Sequence, residues 1–509
     1  MSDPLIPLTI EAPGFLGLNT QNEGSVLPPG WASVLDNFVY DDIGRLASRK
    51  GTKQINGTLI TNSPTIRASH EYIDASGNKL NIFAADNKIW KEVSGTMTDI
   101  SGTISTPTAD NWQFANFNGW VVGHQASHVP IIMTSTTGSF ANSGGTQHNG
   151  NMVLSAWGRK WTALANTLYY SDLLIDNFVT GGGSSAGSVD LASFWPNGMD
   201  EAVALADFNG FLIVFGKDSL IVYENPDDPT VMAIVEGVDG VGCIARDSVQ
   251  IVGTEIMFLS NTGIRTLGRT IQEKSMPVSD ISKNVRDALL SLVAGETLAN
   301  IKSVFNSVDG FYLLSLPTAG TTYMFDLKFP NQDATLKVGR WNFAPTAMNY
   351  TQGLKLHMAV TAGYLSHYTE YLDERTSVGA GGNNYVVDFE GGWNDFGQEV
   401  AYFFKIPKRA SLLAAGTPAG AVTFKWAVDY GSSFTERTLQ FRSAGPALWG
   451  VATYNSTDTY AAFGDFERLK TSLARTGQTI KVGLYATISQ FKFSIQRLDI
   501  LAKIGKIGI

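Results

Sequence analysis

Gly183-Ser184-Ser185-Ala186-Gly187 has the G-x-S-x-G spacing of a nucleophile elbow. An elbow needs an apolar strand before the serine and a helix after it, so that the hydroxyl stands on a sharp turn. Here Gly181 and Gly182 precede and Ser188-Val189-Asp190 follow, so the segment reads as a loop. His124 and His128 stand four apart, a spacing that pairs two imidazoles for a metal only on a helix. Gly123 and Pro130 flank them in a strand-like stretch with no third ligand beside them. The other histidines (His70, His148, His357, His367) are scattered.

Gly237-Val238-Asp239-Gly240-Val241-Gly242 is glycine-rich but lacks the G-x-G-x-x-G order and the strand–helix setting of a phosphate cradle. It reads as a turn that needs positive φ or close backbone approach. Asp41-Asp42 and Asp227-Asp228 stand beside turn formers. Adjacent carboxylates on a strand point to opposite faces, so neither pair makes a glycosidase dyad. Trp90, Trp112, Trp120, Trp157, Trp161 and Trp195 could stack on sugars, but most sit in apolar runs and read as core. No catalytic, cofactor-binding or metal-ligating residue is assigned, no cofactor is expected, and the chain is expected not to be an enzyme. Glycan processing by carboxylates distant in sequence is the enzymatic rival.

The elements that would position such residues are short strands. Gly77–Phe83 with Lys88–Trp90, Asn209–Phe215 with Ser219–Tyr223 (the clearest), and Glu255–Leu259 with Ile264–Leu267 across the turn Ser260–Gly263 read as hairpins. Others stand at Gly119, Lys160, Asp309 and Gly353. β-branched and aromatic runs flank Gly, Asn or Asp turns, and the units recur every ~40–55 residues, the period of propeller blades. Behind Pro277-Val278-Ser279-Asp280, the stripe Ile281, Val285, Ala288, Leu289, Leu292 predicts a short amphipathic helix near 279–293.

The expected fold is mainly β: a β-propeller over 61–375, a C-terminal β-sandwich over 376–509 and an extended N-terminal arm or docking segment over 1–60. Gly379–Asn384 reads as the linker. In the last strand Phe491, Phe493 and Ile495 alternate on odd numbers, then Leu498 and Ile500 on even ones, which predicts a β-bulge between them. That strand carries Lys503 and Lys506 at its end.

Composition agrees with many strands and tight turns. Of 509 residues, 52 are Gly and 16% are charged, against roughly 25% charged in an average soluble protein. The net charge of −9 argues against general duplex binding by counterion release. One cysteine, Cys243, excludes an intrachain disulfide framework and a Cys-rich zinc module. No apolar run reaches the ~20 residues of a membrane span, and no signal-peptide core opens the chain, so synthesis in the host cytoplasm is expected.

Several phrases carry a family resemblance. The first are Gly14-Phe15-Leu16-Gly17-Leu18-Asn19-Thr20, Leu27-Pro28-Pro29-Gly30-Trp31, Leu35-Asp36-Asn37-Phe38, Gly44-Arg45-Leu46 and Arg49-Lys50-Gly51. Then come Gly240–Cys243, Asp247-Ser248-Val249, Ile256–Ser260, Gly263-Ile264-Arg265, Phe325-Asp326-Leu327 and Gly339-Arg340-Trp341. In this order they resemble the tail nozzle proteins (tail tubular protein B) of short-tailed bacteriophages, relatives of the P22-like tail hub or DNA-stabilisation protein. The resemblance implies a virion structural protein, a homohexameric ring at the distal tip of the tail. It implies docking to a tail adaptor ring and to fibre or needle proteins, and a channel through which genome DNA passes without sequence-specific binding.

Overall fold

The computed structural model describes residues 5–507, apart from 59, 197, 274–279, 361, 375–381, 398–399, 417–419, 442–465 and 491. The chain is mainly β. Its hairpins close on the turns that the sequence marks. Asp86 and Asn87 (φ 58° and 55°) join Lys79–Ala85 to Lys88–Val93, and Asn209 and Gly210 (φ 51° and 85°) join Ala202–Phe208 to Phe211–Gly216. Two-residue turns with both φ positive match the right-handed twist of the strands they connect.

Among the described residues these hairpins build the seven antiparallel blades of a propeller, six as small separate sheets and one as the end of a ten-stranded sheet. Their innermost strands are Ala68–Ile73, Gln113–Phe117, Leu154–Ala156, Ala202–Phe208, Gln250–Val252, Lys302–Asn306 and Ala347–Tyr350. The inner edges of successive blades lie against one another, the fourth meeting the fifth through the turn Arg246–Ser248, and the first meets the seventh, so the ring is closed. Among the described residues the fifth blade has three strands and is followed by α1 (Leu267–Glu273). The seventh takes its fourth strand, Thr52–Gln54, from the beginning of the chain. That strand ties the first blade's side of the ring to the last.

The continuous apolar runs follow from blade stacking. Leu212 and Val214 face the third blade, whereas Ile213 and Phe215 face the fifth, and all four are buried. Likewise Ile82 and Ala84 pack toward the second blade, and Phe83 and Ala85 toward the seventh. A strand buried on both faces has no solvent side, so alternation disappears from its sequence.

The sixth blade runs on into the sandwich. Its outer strand, Lys337–Trp341, meets Trp31–Asp36, which pairs with Tyr385–Asn394; Ile480–Ile488, Ala421–Val428 and Thr435–Gln440 follow. The facing sheet is built on Phe403–Ala415 and Ser494–Ile507. Leu413 opposes Arg497 while Ala414 opposes Ile495, so Gln496 is the extra residue of the expected bulge. Its carbonyl accepts the Ala12 N–H at 2.9 Å.

The opening segment is extended, but the surface on which it docks belongs to its own chain. Leu5–Glu11 pairs with Ser494–Ile507, Trp31–Asp36 sits inside the large sheet, and Phe38–Tyr40 with Leu46–Ser48 joins the facing one. Each half of this sandwich exposes edges that the first 50 residues cover.

The inserted helix starts later than its stripe suggests. A 3-10 turn, Lys283–Val285, leads into α2 (Arg286–Ala294), without a side-chain cap. Asp280 is turned away to accept the Ser282 hydroxyl at 2.8 Å. The buried row is Val285, Leu289 and Val293 rather than Leu292, because spacing of four carries one face straight up a short helix. Pro277–Ser279, the 376 boundary, the first half of the Gly379–Asn384 linker (379–381) and the Lys506 side chain lie outside the described residues.

Candidate functional site

Innermost propeller strands all run the same way along the axis, so the residues that enter them gather at one end. Here these are Arg67, Asn111, Asn151, Arg246, Asp247 and Lys302. Arg246 reaches across from the fifth blade. Its guanidinium donates to the Asn151 carbonyl at 2.5 Å and the Asn111 carbonyl at 3.2 Å, and grips both Asp247 oxygens at 2.7 and 2.9 Å. Lys302 donates to Asp247 at 2.5 Å and to Asn111 Oδ1 at 2.6 Å. Arg67 donates to Asn300 Oδ1 at 2.7 Å. The network borders a cavity of about 150 Å³ that His70 and Trp112 also line.

Burial opposes ionisation of both partners. It pushes Lys302 down, and the Arg246 charge adds to that. For Asp247 burial is outweighed by Arg246 and Lys302, which hold the carboxyl well below its ordinary range. His70 is depressed to about 4 by burial and is neutral at pH 7.

Of these residues, the sequence marks Asp247 within one phrase of the resemblance, Trp112 as core and His70 as one of the scattered histidines. Aligning the hairpin units on their first strand would have shown the others. A polar residue recurs at or just before that strand in blades one, two, three, five and six.

The serine of the elbow motif has no elbow. Thr180–Gly181 and Ser184–Ser185 form a small hairpin, and the Ser185 hydroxyl donates to Asp172 at 2.7 Å. The Ser185 bonds hold Asp172 near 2. His124 and His128 do not converge. His128 bonds the Val129 and Ser105 carbonyls at 2.6 and 2.9 Å, whereas His124 is buried near Lys160, and burial drives its pKa well down. Among the described residues no three His, Cys, Asp or Glu side chains are placed to hold a metal.

Gly240 has φ 74°, and a Cβ on Gly242 would lie 2.4 Å from the Gly216 carbonyl oxygen. The run is therefore a close backbone crossing. Asp41 accepts from Ile43 and Arg45 within its own turn, and Asp228 from Thr230. Trp90, Trp112, Trp161 and Trp195 are buried, and Trp120 and Trp157 are half-buried. Burial pushes the Cys243 thiol up to about 11.

Three of the phrases that carry the resemblance meet at one place, the junction of propeller and sandwich. Arg49 is fully buried and holds Asp373 with two bonds of 2.9 and 2.7 Å, while its Nε donates to Asn37 at 2.9 Å. Its cation lies 4.0 Å from the Tyr385 ring centre and 4.5 Å from that of Phe343. Arg340 clasps Asp36 at 2.7 and 2.9 Å, and the Trp341 indole donates to the Phe38 carbonyl at 3.4 Å. These residues bind the architecture together rather than face a ligand.

A second cavity, about 220 Å³, lies at the end of the sandwich. Trp393 and Tyr430 wall it with ring centres 5.0 Å apart, Pro28 and Pro29 close one side, and Asn394 and Asp395 line its mouth. Tyr430 is 59% exposed and held at φ 57°, and the lining Thr479 hydroxyl is buried without a partner.

No protein-family profile matches the chain, and no curated protein matches it. Among solved structures it is similar to the extracellular domain of the putative one-component system BT4673 from B. thetaiotaomicron. That match has 9% identity and a TM-score of 0.41 over 86% of this chain and 60% of the other. It is also similar to PorZ of the type-IX secretion system of Porphyromonas gingivalis (12%, TM-score 0.36, 67% of this chain and 43% of that one). A third is the Neurospora crassa Pan2 WD40 domain (8%, TM-score 0.35, 65% and 98%). The chain spans less than two thirds of the first two.

Proposed function

We propose that the chain is a structural, non-enzymatic subunit of a homo-oligomeric ring, the nozzle at the distal end of a short phage tail. The observation that carries this reading is a gathering of exposed apolar side chains on one face of the propeller. Leu173, Leu174 and Ile175 stand in the outer loop of the third blade, and Val231, Ile234 and Val235 at the same end of the fourth. Each is between 39% and 58% exposed. Strand direction puts both loops where the innermost strands end, opposite the axial cluster. Apolar groups gathered on one face suit burial against another copy.

The Arg246 network spans the propeller axis, so a genome path would run between subunits and not through a propeller. The net charge of −9 suits a channel wall that phosphates do not adhere to. The other partners on this reading are the adaptor ring above and fibres or a needle.

Negative-stain electron microscopy with mass photometry, on the purified chain and on tails, tests it. Sixfold rings, or sixfold density at the tail tip, are expected. A monomer at every concentration that is absent from tails would overturn it.

A virion-borne glycan-binding protein is the second reading, and the Trp393–Tyr430 cleft favours it. Aromatic faces take the C–H side of a sugar while Asn394, Asp395 and Thr479 could meet hydroxyls. Asp395 is the one carboxylate among the described lining residues, whereas glycoside hydrolysis needs two. Affinity electrophoresis in host-surface polysaccharide should retard the chain, and Tyr430→Ala should abolish the retardation.

A further inference from the structure

The axial cluster holds more positive charge than its own carboxylates neutralise. Among the described lining residues, Arg67, Arg246 and Lys302 stand against one carboxylate, Asp247, an excess of two. Asp110 also feels the Arg67 charge, and burial pushes its carboxyl up. With Asp110 fully ionised the excess is still one. Like charges held together away from water are costly unless an anion joins them.

Donor capacity is also unspent. The Trp112 indole N–H is buried with no acceptor, in a side chain only 2% exposed. Such an N–H normally finds a partner. Among the described residues the Arg67 guanidinium makes one hydrogen bond, to Asn300. Arg246, by contrast, is occupied by Asp247, Asn111 and Asn151. The free donors therefore come from the first, second and sixth blades and border one small cavity.

We propose that the axial cavity of the propeller is a binding site for a small oxyanion, held by Arg67, Lys302 and the Trp112 indole N–H. A cavity of about 150 Å³ admits an ion of phosphate or sulfate size and no duplex. The bound ion would complete the network that joins the blades across the axis. The site is independent of whether the chain forms rings.

Sulfate and phosphate are the probes, with sodium chloride at matched ionic strength as the control. Thermal unfolding of the full chain should rise with sulfate and saturate, as binding to the native state requires. General salting-out by sulfate rises without saturating. Arg67→Gln should weaken the saturable effect by about tenfold, the cost of one charged hydrogen bond. Trp112→Phe keeps the ring, removes only the N–H and should weaken it also. It decides the matter if Arg67→Gln fails to fold. A non-saturating rise, or a saturable one that both variants retain unchanged, would overturn the proposal.

Discussion

Arg49 and Asp373 form an ion pair with almost no exposed surface, 0% and 2% at the side chains. Burial works against the Arg49 charge, but the Asp373 bonds outweigh it and raise the pKa. Removing one partner strands the other in the core. Asp373→Leu is expected to destabilise by about 3–5 kcal/mol, and Arg49→Met with Asp373→Leu by less than the sum of the singles. Urea unfolding of the three variants checks this.

Asp326 offers a pH test. Burial raises its carboxyl to about 6, against the Phe329 N–H and the nearby Lys328 and Lys337, which lower it. A carboxyl whose folded pKa exceeds its unfolded one gives stability that is present below pH ~4 and lost as pH rises through ~6. Asp326→Asn should therefore gain on the wild type by up to about 3 kcal/mol between pH 4 and 7. His70 and His357, both depressed to about 4, act the opposite way across that range. The difference between variant and wild type is thus the quantity to measure; a difference independent of pH would show that Asp326 does not titrate there.

At the scale of elements, the N-terminal segment is the one to cut. An arm that served only ring assembly could be deleted without loss of fold. Trp31–Asp36 instead lies between the sixth blade and the sandwich, and Thr52–Gln54 closes the ring of blades. Deleting residues 1–54 should give insoluble protein. Deleting 1–11 uncovers one flank of Ser494–Ile507 and should lower the melting temperature while leaving a folded chain. Soluble yield and calorimetry distinguish the two. Gly51 sits where these elements cross, and a Cβ there would fall 1.9 Å from the Leu372 carbonyl oxygen. Gly51→Ala should cost several kcal/mol, roughly the penalty of forced backbone displacement in a packed site.

For the whole molecule, the apolar face of the third and fourth blades separates a lone propeller from a ring subunit. Leu174→Glu with Val235→Lys changes two exposed side chains, so stability should move by no more than ~0.5 kcal/mol. If copies meet there, the same double variant should lose ring formation in mass photometry. Rings that persist would move the interface to another face.

By itself the sequence determined what depends on neighbours along the chain. The hairpins followed from paired turn residues such as Asn209-Gly210, and the bulge at Gln496 from a change of parity between Ile495 and Leu498. The mainly β architecture followed from their recurrence. Tertiary structure alone decided the count of seven blades, because the seventh is completed by a strand some 300 residues earlier. It also decided the axial cluster. Arg67, Arg246 and Lys302 each stand at or shortly before the first strand of a blade, but they are far apart in sequence, and only closure of the ring brings their charges to one cavity. Local preferences act over a few residues, whereas electrostatic convergence depends on where the closed ring puts the strand ends.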